Sequence, residues 1–362
     1  MSARPAPQLQ PGVRAAAAAP AHPGSPAGMP SRRVLLRGAI AGAVAVGVTA
    51  ASGCGIQLEQ DAPIPFITRR PMPDEGALLT AYRDVSQLAA EAARTAGPHG
   101  AAISARHTRQ RAVLEQVLRD GGVPDDVLAR ALATPTSSTA PTGSTGVAPS
   151  PAASSSASVG GATPEATAGR PEDLATAELA LVAPERLRRL ADSGPARGLL
   201  IALSVHAGAT GLGLGGAPAW PADAGGLLLD EVAARPVLTA MAGLAYVTEL
   251  AAARTPAGSR APLVELVARV RARERRIRAI AGQGLVVPPY GFGSPAAITD
   301  AGAGHSAVRA ALVDVVDVAL RSIAALAPGS TALEPLVRTA VEALVDATAY
   351  GHPMPTFPGM TD

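Results

Sequence analysis

The sequence predicts an all-α protein with two tandem four-helix units, over residues 74–221 and 222–362. Apolar residues recur every three or four positions, with arginines and acids between them, which is the spacing of amphipathic helices. Continuous alternation with a period of two is absent, and only 2% of the residues are aromatic, so strands are not predicted. The helical pattern also repeats after about 140 residues, which favours a duplicated unit over a short-period solenoid.

Eight helices are predicted from this spacing. Glycine pairs such as Gly121-Gly122 supply stop signals between them. Pro184 and Pro236 fall inside predicted helices, where they should kink the helix or begin a fresh first turn. The predicted helices cover residues 74–96, 100–120, 171–191, 195–210, 227–253, 261–282, 305–326 and 332–350.

The two units resemble each other in order as well as in helix number. Residues 114–124 end the second helix of the first unit, and the similar residues 277–288 end its counterpart. Each unit then has a non-helical gap, two more helices and a closing proline-rich segment, 216–221 in the first and 351–358 in the second. A long central connection of this kind resembles the crossover of ferritin-like bundles.

Two stretches of the chain are predicted not to fold. Residues 134–169 consist almost wholly of Thr, Ser, Ala, Pro and Gly, with Glu165 as the only charge. Such a tract cannot bury enough apolar surface to offset its ordering entropy, so we interpret it as a disordered insertion in the first unit. Residues 54–73, which are rich in proline, are interpreted as a tether.

The N-terminus is typical of an export signal. Arg32 and Arg33 precede two leucines and an apolar run from Gly38 to Ala51. The arginine pair resembles the twin-arginine motif, which a translocase reads. The run is too short to span a bilayer, which takes about 20 residues. Residues 1–53 are therefore predicted to be a cleavable signal, with an uncleaved anchor or a disordered arm as the alternatives.

The only cysteine follows this signal. Ala51-Ser52-Gly53-Cys54 resembles a bacterial lipobox, in which the cysteine is acylated and becomes the new N-terminus. The resemblance implies that lipid on Cys54 anchors the protein to the outer face of the cytoplasmic membrane. A single cysteine also excludes an intramolecular disulfide.

The basic charge belongs to the signal. The chain carries 31 basic and 29 acidic groups, and residues 1–53 contain five of the arginines and no acid. The remainder therefore has 26 basic against 29 acidic groups, a net charge of −3. This balance gives no reason to predict nucleic-acid binding.

Short segments resemble a known family. His107–Leu114 and the closing Pro355-Thr-Phe-Pro-Gly359 are similar to the ferritin-like domain of unknown function that occurs in exported actinobacterial proteins. In architecture the resemblance covers residues 74–362. It implies four-helix bundles and no established activity.

A ferritin-like fold raises the possibility of a di-iron centre, which requires a Glu-x-x-His pair on each of two helices. No glutamate or aspartate in the chain precedes a histidine by three positions, so no di-iron centre and no cofactor are predicted. His107, His206 and Glu274 are the polar residues placed on inward-facing stripes. They are the metal-ligand candidates, although separately hydrogen-bonded histidines and an Arg-paired Glu274 are the simpler interpretation. Glu342 and Asp346 are interpreted as exposed ion-pair partners.

The sequence thus favours a membrane-tethered binding or scaffolding module over an enzyme, and no catalytic residue is assigned. The alternative is a metal-handling or redox protein that uses the inward polar residues. The expected partners are the membrane and, during export, the twin-arginine translocase. No protein partner is identified by the sequence.

Overall fold

A computed structural model of the chain describes residues 69–133, 169–221, 231–281 and 298–360. In these ranges the chain forms α-helices, short 3-10 turns and no strand; one isolated bridge pairs Thr95 with Gly169. The prediction of an all-α fold is confirmed. The arginine pair, Cys54 and nearly all of the predicted insertion lie outside the described residues.

The helices lie close to their predicted positions. The one predicted over residues 171–191 is divided into three pieces, and Pro184 begins the last of them as a fresh first turn. The short helix after Gly121-Gly122 was not predicted. The α-helices are α1 (Glu75–Arg94), α2 (Pro98–Asp120), α3 (Asp125–Ala133), α4 (Pro171–Leu179), α5 (Pro184–Ala191), α6 (Arg197–Gly213), α7 (Glu231–Arg254), α8 (Ala261–Ala281), α9 (Ala301–Ala325) and α10 (Leu333–Ala349), and the 3-10 turns are Ala180–Val182 and Ala257–Ser259.

Asp74, whose backbone is in the left-handed region, connects the beginnings of α1 and α6. Asp74 has a φ of 60°, and is the one non-glycine residue with positive φ among the described positions. Aspartate tolerates this conformation better than most residues. The carboxylate of Asp74 accepts hydrogen bonds from the backbone amides of Gly194 (2.9 Å) and Ala196 (3.0 Å), just before α6. Asp74 therefore precedes the first turn of α1 and also accepts hydrogen bonds from backbone amides near the beginning of α6.

Both halves of the chain contribute to one compact unit and one main core. Leu78 of α1 and Ile201 of α6 belong to the same apolar cluster as Leu238 of α7, Leu266 of α8 and Leu336 of α10, and each is at most 2% exposed. A smaller cluster around Leu88, Ile103 and Leu174 fills the space between α1, α2 and α4. The two halves therefore share their largest apolar contact.

The halves meet most closely where α6 crosses α10. A Cβ atom on Gly208 would lie 2.8 Å from Val341 Cγ2 and 2.9 Å from Val182 Cγ1, so only glycine fits without movement. Hydrogen bonds also join the two halves near the beginnings of these helices: the Arg197 guanidinium donates to the Leu326 carbonyl at 2.9 Å, and the Gly329 amide donates to the Ala191 carbonyl at 3.0 Å. The contact thus combines close packing with polar links.

In the described ranges, α7 is the one helix long and apolar enough to cross a membrane by length and composition. Its apolar side has another use here. Val237, Leu238, Met241 and Leu244 are at most 1% exposed and belong to the main core. A core helix passes the same test, and α7 packs as one.

The crossing at Gly208 generates the first prediction. Gly208→Ala should lower the free energy of unfolding by about 1–3 kcal/mol, because the added methyl overpacks two valines. Gly198→Ala in the same helix is the matched control. Nothing lies within 4 Å of its Cβ position, so stability should stay the same or rise by up to about 1 kcal/mol. Urea unfolding measures both values, and equal stability of the two variants would contradict the close crossing.

Candidate functional site

Four polar side chains meet in the interior of the first half. His107 and Gln110 project from α2, Glu178 from α4 and His206 from α6. All four are at most 1% exposed. We call them the buried polar cluster. Buried polar groups need hydrogen-bond partners to offset their lost hydration, so their bonds define the cluster.

A carbonyl of the C-terminal segment determines, through Gln110, that Nδ1 of His107 carries a hydrogen. The Gln110 side-chain amide donates to the Thr356 carbonyl at 2.7 Å. A carbonyl can only accept, so the other end of the Gln110 amide, its Oε1, faces His107 Nδ1 at 2.7 Å. Nδ1 of His107 must therefore carry a hydrogen and donate it to Gln110.

The remaining nitrogen of His107 shares a proton with Glu178. Nε2 of His107 lies 2.6 Å from Glu178 Oε1. Burial raises the pKa of Glu178, while His107 and the nearby Arg106 act in the opposite direction. Either form of the pair, imidazolium with carboxylate or two neutral groups, holds one proton between the two atoms. The second carboxyl oxygen of Glu178 is buried without a hydrogen-bond partner in the described structure.

The carbonyl of Pro355, the residue before Thr356, determines directly which nitrogen of His206 carries the hydrogen. Its Nδ1 donates to the Pro355 carbonyl at 2.8 Å. Burial, then the proximity of His107 and Arg106, lower the pKa of His206 to about 3. The ring is therefore neutral near pH 7, and its buried Nε2 is a lone pair without a partner in the described structure. The rings of His107 and His206 meet edge to face, with centroids 5.5 Å apart.

The structure brings together two of the three metal candidates and adds a carboxylate that the sequence analysis missed. Glu178 lies on α4 between Leu174 and Leu181, which are both buried. A charged residue in that apolar stripe was the available signal. Within the described ranges, no group of three or more His, Cys, Asp and Glu side chains is arranged to hold a metal ion.

Glu274 takes no part in this cluster. It lies on α8, where its carboxylate accepts from Arg278 at 2.8 Å and from Arg271 at 3.0 Å. Burial would raise the pKa of Glu274, but the two guanidinium groups outweigh burial and lower it. The structure therefore places Glu274 in ion pairs with arginines of its own helix.

The interpretation of Glu342 and Asp346 as exposed was wrong. Both face α8, and Asp346 is only 7% exposed. Glu342 accepts from Arg273 at 2.9 Å and from Arg276 at 2.6 Å, while Asp346 lies 2.7 Å from Arg273. The ion pair that helical spacing predicts within the helix is present, since Arg338 donates to Glu342 at 2.9 Å. The arginines of the neighbouring helix, which that spacing does not predict, pair with both acids as well.

A cavity of about 290 Å³ is the second candidate site. It lies between α1, α5 and α6, with Leu181 of the 3-10 turn in its wall. The hydroxyls of Thr80 and Ser204 in the wall donate to carbonyls of their own helices, at 2.8 and 3.0 Å. The walls therefore present mainly apolar groups. The lining residues are Gly76, Ala77, Thr80, Ala81, Val85, Leu181, Arg186, Arg189, Leu190, Ser193, Leu200, Leu203 and Ser204.

The neutral state of His206 generates a prediction about pH. A group whose pKa is lowered on folding stabilises the protein above its unfolded pKa, and that stability is lost as the pH falls toward the folded value. For His206 this stability is lost as the pH falls from the unfolded pKa of 6.5 toward the folded pKa of about 3. Between pH 7 and pH 5, the loss in unfolding free energy from this group should be about 2 kcal/mol.

The variant His206→Asn isolates this effect. Its amide nitrogen can occupy the position of Nδ1 and donate to the Pro355 carbonyl, but it does not titrate. Urea unfolding at the two pH values should show a smaller loss in the variant by about 2 kcal/mol. The raised pKa of Glu178 acts in the opposite direction but is common to both proteins. His305→Asn, at an exposed histidine, should keep the full loss. An identical loss in His206→Asn and its parent would show that the buried ring is charged.

Comparisons with known proteins do not assign either site. No protein-family model, curated protein or solved structure matches the chain. The function is therefore argued from the buried polar cluster and the cavity themselves.

Proposed function

We propose that this protein is an exported, lipid-anchored binding module without a di-iron centre, and that its ligand occupies the cavity between α1, α5 and α6. The observation that carries the proposal is the cavity itself. Its volume, about 290 Å³, is close to the lower limit of the range for small-molecule sites, about 300–1,000 Å³. Mostly apolar walls with a few polar side chains are typical of such sites.

The ferritin-like architecture is part of the proposal, and the pairing of helices supports it. In the first half, α1 packs against α2, and α4 packs against α6. In the second half, α7 packs against α8, and α9 against α10. In each half the first helix also packs against the helix that follows the central connection, α1 against α4 and α7 against α9. The same order of neighbours in both halves is what a duplicated four-helix unit requires.

The buried polar cluster supports a structural role for the two histidines. Its hydrogen bonds connect α2, α4 and α6 to the carbonyls of Pro355 and Thr356. A metal between His107 and Glu178 would have to displace the proton that now joins them. The metal-handling alternative also used Glu274, which has arginine partners on α8. We therefore assign ligand binding to the cavity and not to the cluster.

The anchor generates a testable prediction. Two or three acyl chains on Cys54 should hold the protein stably at the membrane, whereas one chain binds only marginally. Cys54→Ala should therefore move exported protein from the membrane fraction into the medium.

The double variant Arg32→Lys, Arg33→Lys should instead keep the precursor inside the cell, because the translocase reads guanidinium identity as well as charge. Cell fractionation and immunoblotting measure both. Membrane-bound Cys54→Ala protein would contradict lipid anchoring.

The cavity generates a separate prediction, measured with N-phenyl-1-naphthylamine, a neutral probe that fluoresces in apolar surroundings. Thr80→Phe should fill the cavity and weaken probe binding at least tenfold. Thr239→Phe is the matched control, since Thr239 also donates to a carbonyl four residues earlier (2.9 Å) but is exposed on α7, away from the cavity. Both are made in the Cys54→Ala background, so that no acyl chain competes. Equal binding by the two variants would show that the cavity is not a binding site.

A further inference from the structure

The cavity combines apolar walls with two arginines, and no acid is among its lining residues. From this combination we infer that its ligand is a small anionic amphiphile, with an apolar body and a carboxylate or phosphate head. The inference rests on the proposed function, because it takes the cavity as the ligand site.

The walls select for an apolar body. Val85, Leu190, Leu200 and Leu203 are core residues that line the cavity. The lining hydroxyls of Thr80 and Ser204 are already bonded to their own helices. Their single hydrogens are therefore used, and an acceptor on the ligand body would lose its hydration without gaining a donor from them.

The first cationic group at the cavity is Arg186 of α5. Its Nη1 donates to Asp84 of α1 at 2.5 Å, an ion pair that also joins the two helices. Arg83 contacts the same carboxylate at 3.4 Å, so one acid faces two guanidinium groups. The Nε of Arg186 is buried and has no hydrogen-bond partner in the described structure. A buried donor without a partner is costly, and an acceptor on a ligand would satisfy it.

The second cationic group is Arg189, three residues further along α5. Residues three apart share one face of a helix, so Arg186 and Arg189 can act on the same anion. Arg189 is exposed and forms no ion pair with any acid in the described part of the chain. Its neighbour Arg188 differs in both respects, because it pairs with Glu185 at 3.0 Å and does not line the cavity.

The nearby acids do not cancel this charge. Asp84 is shared between two arginines. Asp74 accepts from the amides of Gly194 and Ala196, so helix-terminal amides already offset its carboxylate. The residues that line the cavity include two guanidinium groups, those of Arg186 and Arg189, and no carboxylate. Guanidinium groups match carboxylate and phosphate oxygens in geometry as well as in sign.

The test compares ten-carbon probes that differ only in their head group. Decanoate, decyl phosphate, decanol and decylammonium each compete with N-phenyl-1-naphthylamine on the exported Cys54→Ala protein. Decanoate or decyl phosphate should displace the probe at least tenfold more tightly than decanol, and decylammonium should bind most weakly. The order of the two anions identifies the head group. Raising the salt concentration should reduce the advantage of the anions, because the arginines lie near solvent.

Substitutions separate head-group recognition from cavity binding. Arg189→Gln should weaken the binding of the preferred anion about fivefold to tenfold and leave decanol unchanged. Arg188→Gln, one position away on the exposed face of the same helix, should change neither. Arg186 is left intact, because it also holds α5 to α1 through Asp84.

Three outcomes would overturn the inference. Decanol that binds as tightly as both anions, or decylammonium that binds more tightly, would reject an anionic ligand but leave the cavity as an apolar site. Equal effects of Arg189→Gln and Arg188→Gln would show that no specific guanidinium recognises the head. Failure of every probe, including N-phenyl-1-naphthylamine, would reject the proposed function as well.

Discussion

The crossing of α6 and α10 is the constraint on which the rest of the structure depends. Because Gly208 has no side chain, the two helices approach closely enough for Val341 to fill its position. That approach places the core residues of the two halves in one apolar cluster. Helix α6 thus contributes to both candidate sites, because His206 belongs to the buried polar cluster and Leu203 lines the cavity.

The proline-rich segment that closes each half packs against a helix of the other half. Pro355 and Thr356, after α10, accept hydrogen bonds from α6 and α2. Pro221, after α6, accepts from Arg338 of α10 at 3.3 Å, and the Arg338 guanidinium lies 5.9 Å from the centre of the Trp220 ring. The exchange is reciprocal in position but unequal in chemistry. The first half buries histidines beneath the segment of the second half, whereas the second half presents an arginine to the segment of the first half.

Helix positions could be predicted from the sequence because the period of apolar residues reports directly on burial. The inward placement of His107 and His206 followed from the same period. Glu178 was not predicted to face inward, although it interrupts the apolar stripe of Leu174 and Leu181. The two carbonyls that orient the histidines could not be predicted from the sequence. Backbone groups carry no residue signature, and these lie 149 and 246 positions from their donors.

Glu342 and Asp346 show a different limit of the sequence. Helical spacing identifies partners on the same helix, but the arginines of α8 that bury these acids are adjacent only after folding. The cavity has the same origin. Its walls come from α1, α5 and α6. The space between three helices depends on how their side chains pack together, and the period of apolar residues along one helix does not predict that packing.

The dependence of the buried polar cluster on Pro355 and Thr356 has a consequence for the order of synthesis. The ribosome makes α2, α4 and α6 long before these two residues, which lie near the end of the chain. At about 5–20 residues per second, Gln110 and His206 must wait several seconds or longer for their final acceptors. Until then, water or a transient partner must solvate these side chains. The first half is thus synthesised earlier, but its buried polar cluster cannot form its last hydrogen bonds until Pro355 and Thr356 have been added. In the nascent chain on the ribosome, the interior of the first half therefore still lacks these acceptors.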